Sequence, residues 1–79
     1  MRIYKFYTPS CGQCSVVGRL LTNSKLPFIS VNCEEDNPLM EKYHIAHVPT
    51  VIVEYDDGSI KRLNNILEVK QWLSHNTAT

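Results

Sequence analysis

The chain of 79 residues has no surplus of charge of either sign: eight Lys and Arg stand against eight Asp and Glu. That balance removes the electrostatic case for a nucleic acid or an anionic membrane as partner. There is no apolar run near the ~18 residues that a membrane span requires. Nor does the chain begin with a basic stretch leading into an apolar core and a small-residue cleavage site, because "MRIYKFYT" already reads as a strand. A cytoplasmic address is therefore expected. Internal repeats, linkers and low-complexity segments are missing as well. Cysteine is scarce and odd in number. Cys11, Cys14 and Cys33 do not pair off as the cysteines of a secreted disulfide framework do, which points to chemistry rather than scaffolding.

What remains is an ordinary globular composition, 43% hydrophobic and 20% charged, too apolar for disorder. The length suits one domain spanning residues 1–79, with one core and no room for a second catalytic unit. A monomer is expected.

The pattern of apolar residues divides the chain into seven elements. "RIYKFY" is rich in β-branched and aromatic side chains and stops at Thr8-Pro9, as a strand does at a proline. Val16, Val17, Leu20 and Leu21 share one face of a helix predicted over residues 12–23. "LPFISVN" reads as a second strand, and "NPLMEKY" as a short helix with Asn37 as N-cap and Pro38 in its first turn. "PTVIVEY" and "SIKRL" are strands joined by an Asp57-Gly58 hairpin turn. Ile66, Val69, Trp72 and Leu73 form the apolar stripe of a closing helix. The order β-α-β-α-β-β-α predicts an α/β fold: a mixed four-stranded sheet flanked by helices, its first two strands parallel and its last two antiparallel.

Cys11 and Cys14 fall where the first strand turns into the first helix. In a parallel β-α unit that turn lies at the C-terminal edge of the sheet, where the helix dipole and free N–H groups favour an anion. A thiolate near neutral pH is the nucleophile of disulfide exchange. The spacing places Cys11 at the exposed helix end, as the attacking thiol, and Cys14 just inside the first turn, as the thiol that resolves the mixed disulfide. Gly12 and Gln13 set the turn. A zinc site uses the same CxxC spacing, with Cys33, His44 and His47 as the further ligands to hand, but no second CxxC or HxxxH follows. No metal or cofactor is expected.

The second half of the constellation is "HVPT". Pro49 directly precedes a strand, an unusual place unless its missing N–H faces an edge or a site. His47, two residues earlier, is either a cation beside the cysteines or a plain surface histidine. Lys5 is either a cation near the site or a strand residue snorkelling to solvent. Tyr7 either flanks a substrate groove or packs in the core. Cys33 reads as a small half-buried side chain at a strand end.

With these residues in place, the chain resembles the thioredoxin superfamily over nearly its whole length. "FYTPSCGQC" resembles the strand-loop-CxxC segment, and "EKYHIAHVPTVIVEYDDG" the segment of cis-proline, strand and hairpin. The N-terminal strand and helix of full-length thioredoxins are missing, so the size is that of a glutaredoxin. The resemblance implies a thiol-disulfide oxidoreductase with Cys11 as nucleophile, Cys14 as resolving thiol, and a cis Val48–Pro49 bond that turns the Val48 backbone toward an extended substrate. It also implies protein disulfides as substrates, ribonucleotide reductase among them, with electrons from a thioredoxin-reductase-like flavoenzyme or from glutathione. A metal-binding or structural thioredoxin-like module is the third reading. The departures are specific. Ser10 precedes the first cysteine where thioredoxins carry Trp, Gly12-Gln13 replaces Gly-Pro, Lys5 stands where they bury an acid, and Asn64-Asn65 replaces the Gly-Gly pair of glutaredoxins.

Overall fold

The computed structural model describes residues 1–76. Its elements run β1 (Arg2–Tyr7), α1 (Gly12–Asn23), β2 (Ile29–Asn32), α2 (Pro38–Lys42), β3 (Thr50–Glu54), β4 (Ile60–Leu63) and α3 (Ile66–Asn76), in the predicted order. They build one sheet of order β2-β1-β3-β4. β1 pairs parallel with β2, and antiparallel pairs join β1 to β3 and β3 to β4.

Alternation along the strands splits the core in two. Ile3, Val51, Val53 and Leu63 face one side, where Val17 and Leu21 of α1 and Val69, Trp72 and Leu73 of α3 cover them. Tyr4, Phe6, Val31 and Ile52 face the other side and meet Tyr43, just past α2. Each fully buried side chain of this kind contributes about 1.5–3 kcal/mol over leaving it in water. The indole N–H of Trp72 donates to the Tyr55 hydroxyl at 3.0 Å, so the polar edge of this core residue is satisfied. Tyr43 is tied down three ways. Its ring lies edge-on to Phe6 at 6.3 Å, its hydroxyl donates to Glu54 at 3.1 Å, and its carbonyl accepts from the Arg62 guanidinium.

β2 is shorter than the run "LPFISVN" suggests. Lys25 takes a left-handed conformation, φ 63°, the Leu26 N–H is used by the Ser24 hydroxyl, and Pro27 has no N–H to offer a ladder. Leu26 and Phe28 still pack against the first core, which is why their apolar character reads as strand. The hairpin falls on the predicted Asp57-Gly58: Asp57 accepts from the Ser59 hydroxyl at 2.6 Å and its N–H at 2.9 Å, and these bonds hold its carboxyl below the ordinary aspartate value. Gly58 sits at φ +89°, where a side chain costs about 1–2 kcal/mol. Gly58→Ala is expected to lower stability by that amount, read from the urea midpoint, with no effect on thiol chemistry at the opposite edge of the sheet.

Candidate active site

The local sequence explains the turn that carries the cysteines. β1 ends where Thr8-Pro9 breaks the ladder, and the Cys11 N–H donates back to the Thr8 carbonyl at 3.1 Å. Cys11 is then the N-cap of α1, with extended φ −85° and ψ 108°, and its sulfur does what a capping oxygen does elsewhere. It accepts the Cys14 N–H at 3.1 Å. The same bond that caps the helix stabilises negative charge on Cys11 sulfur. α1 has no acidic residue in its first turn, so no carboxylate of its own helix turn opposes that charge.

Cys11 and Cys14 are joined by a disulfide, with their Cα atoms 5.3 Å apart, inside the usual range. Their exposure is unequal. Cys11 is half-buried and Cys14 is 2% exposed, so an incoming group reaches Cys11 first. Gly12 and Gln13, between them, are both exposed.

The strand register brings the second segment to the same edge. Phe6 pairs with Thr50, so Pro49 and Val48 leave the sheet beside Tyr7 and Thr8, which lead to Cys11. The Val48–Pro49 peptide is cis, Pro49 is buried and Val48 half-buried. The Thr50 hydroxyl donates to the His47 carbonyl at 2.8 Å and braces the turn.

The remaining candidates are placed as follows. The His47 ring is exposed and its Nε2 lies 3.3 Å from the Asn64 carbonyl, so it bridges the cis-proline turn to the segment before α3. Tyr7 is half-buried, with the Lys5 Nζ 4.8 Å from its ring centroid. Cys33 continues the β1–β2 ladder, its N–H donating to the Tyr7 carbonyl at 2.8 Å. Burial pushes its thiol upward, so it is a poorer nucleophile than a helix-capping cysteine. Among the described residues no three His, Cys, Asp or Glu side chains are grouped to hold a metal ion, and no helix is long and apolar enough to cross a membrane.

One feature at this edge escaped the sequence reading. Glu68 reaches back to the Asn64 N–H at 2.8 Å while its own N–H donates to the Asn65 side chain at 2.9 Å. This reciprocal cap was readable in the pattern Asn65-x-x-Glu68. It places a carboxylate on the N-terminus of α3, close to where His47 meets Asn64.

Comparison with known proteins agrees with this geometry. Residues 3–56 match the family model described as Glutaredoxin. No curated protein matches in sequence. Among solved structures, the oxidised thioredoxin of Plasmodium falciparum is 27% identical, with 96% of this chain and 80% of that chain covered and a TM-score of 0.75. Thioredoxin 1 of Thermosipho africanus is 20% identical, covering 96% and 98%, with a TM-score of 0.66. The glutaredoxin-like NrdH-redoxin of Escherichia coli is 18% identical, covering 90% and 93%, with a TM-score of 0.67. The last two show likeness of fold.

Proposed function

From a chain that belongs to the glutaredoxin family and has the thioredoxin-like fold, we propose a cytoplasmic thiol-disulfide oxidoreductase that reduces protein disulfides. The observation that carries this reading is the unequal pair: a Cys11 sulfur that is reachable and accepts an N–H bond, over a buried Cys14 three residues on. Cys11 thiolate attacks one sulfur of a substrate disulfide. A bond forms between Cys11 and that sulfur, and the other substrate sulfur leaves with the electron pair and takes a proton from water. Cys14 then displaces the first substrate sulfur, and the protein is left as the Cys11–Cys14 disulfide. Val48 and Pro49 shape the side on which an extended substrate lies, with main-chain pairing to Val48 as short β-addition.

The donor is a thioredoxin-reductase-like flavoenzyme rather than glutathione. Asn64-Asn65 stands where glutaredoxins carry Gly-Gly, and the Glu68 carboxylate occupies the neighbouring helix N-terminus, so a second carboxylate meets a like charge there instead of free N–H groups. The Escherichia coli relative is described as a glutaredoxin-like protein with a thioredoxin-like activity profile, the same combination.

An equilibrium redox titration, with thiols trapped by alkylation and counted by mass spectrometry, tests the reading. A reversible two-electron step confined to Cys11 and Cys14, with a midpoint of roughly −200 to −270 mV, is the expected result for a reductant. A pair that never oxidises, or that releases metal on oxidation, overturns it.

A further inference from the structure

Lys5 lies in the middle of β1 between Ser30 of β2 and Val51 of β3. Its side chain shares the face of Val51, which belongs to the core under α1 and α3. Among the described residues no carboxylate lies within ion-pair distance of it. The ammonium is housed in another way. Nζ of the half-buried Lys5 stands 4.8 Å from the Tyr7 ring centroid and 5.7 Å from that of Phe28, and α1 approaches it at Gly18, where a β-carbon would come within 2.8 Å of Nζ. Glycine inside a helix is unfavourable beside alanine, and here its missing side chain is the space that the charge fills. Gly18 follows Cys14 by four residues, so the two share one strip of α1, with roughly 5–6 Å between neighbouring Cβ positions. That strip faces the sheet, as the 2% exposure of Cys14 shows.

We propose that Lys5 is a positioning residue for the resolving step: its ammonium, seated against Gly18, supplies the positive charge that lets the buried Cys14 ionise. This rests on the dithiol reading above. In the mixed disulfide, Cys14 gives its proton to water and its thiolate attacks the Cys11 sulfur. The Cys11–Cys14 bond forms, the bond from Cys11 to the substrate sulfur breaks, and the electron pair leaves on that sulfur, which is protonated by water. The two cysteines are oxidised and the substrate is reduced by two electrons. A thiol removed from water resists ionisation, whereas an opposite charge nearby draws it back, and Nζ at Gly18 stands one turn of α1 from Cys14. Burial holds the Lys5 amine below its ordinary value, as befits a cation whose partner appears only when Cys14 ionises.

Few other groups compete. Tyr7 is the titratable neighbour on the same strand, and Ser30 and Val51 carry no charge. Arg19 on α1 and Lys70 and His75 on α3 are exposed, while Glu68 is engaged by Asn64.

The test mixes reduced protein in a stopped-flow cell with one equivalent of an aromatic disulfide that releases a coloured thiolate. Attack by Cys11 releases the first thiolate and closure by Cys14 the second, so the pH profile of the second phase reports ionisation of Cys14. Lys5→Met, which keeps the apolar stem, is expected to move its inflection up by about one unit and slow closure about tenfold below it. Gly18→Ala is expected to do the same with the charge still present, because its β-carbon displaces the flexible end of Lys5. An inflection unchanged in Lys5→Met overturns the role of Lys5. Absence of a second release in the unsubstituted protein overturns the dithiol reading instead.

Discussion

Cys11→Ser is expected to abolish disulfide reduction, with turnover of a protein disulfide falling by more than roughly 1,000-fold to the background of the reductant alone. Two features of Cys11 meet in one atom. It caps α1 by accepting the Cys14 N–H, and it is the more accessible of the pair. Serine preserves the cap, because a hydroxyl accepts the same bond, so the fold stays while the thiolate is lost. Cys14→Ser separates attack from resolution. Cys11 still attacks, nothing displaces the substrate, and a covalent one-to-one adduct accumulates that mass spectrometry detects and excess dithiol reverses. Full turnover by Cys14→Ser with glutathione as reductant would favour the glutaredoxin-type reading, since that chemistry runs on one protein thiol.

Phe6→Ala carries the largest expected loss of stability. Phe6 is completely buried, lies in β1 between Val31 of β2 and Thr50 of β3, and presents its ring to the edge of Tyr43 at 6.3 Å. Removing it costs about 3–5 kcal/mol through lost burial and the cavity left behind. Domains of this size are worth about 5–15 kcal/mol in total, and each kcal/mol moves the melting temperature by about 4–8 °C. A fall in Tm of at least ~12 °C, with an unchanged dependence on denaturant, is the expected measurement. A fall under ~5 °C would mean that the α2 face closes over the gap, and that the second core contributes less than its burial implies.

The elements that sequence reading located well are those whose signals are local. Gly12–Asn23 was marked by a proline-broken strand before it and by Val16, Val17, Leu20 and Leu21 on one face along it, and Asn37 and Pro38 announced α2 by their capping chemistry. The CxxC pair was legible for the same reason, since Cys11 and Cys14 are neighbours in the chain before they are neighbours in space. What could not be read was whatever depends on distant segments meeting. The His47 bridge to Asn64 spans 17 residues. The seating of Lys5 under Gly18 depends on how closely α1 approaches β1, a distance that no periodicity encodes. The start of β2 was misplaced because Leu26 and Phe28 are apolar for packing while Pro27 and the turn at Lys25 deny them a ladder.

The disulfide joins residues only three apart in sequence, and this has a thermodynamic consequence. Closing so small a loop removes little freedom from the unfolded chain, about 2 kcal/mol on the loop-entropy relation, so the cross-link is a weak staple. Any larger difference in stability between the oxidised and reduced forms must come from how the folded protein treats the thiols themselves. The two quantities form a closed cycle: each 30 mV by which folding makes the pair more oxidising than the same four residues in an unfolded chain appears as about 1.4 kcal/mol of extra stability in the reduced form. Melting the two forms side by side therefore reads how far folding shifts the electron affinity of the pair from that of the unfolded chain.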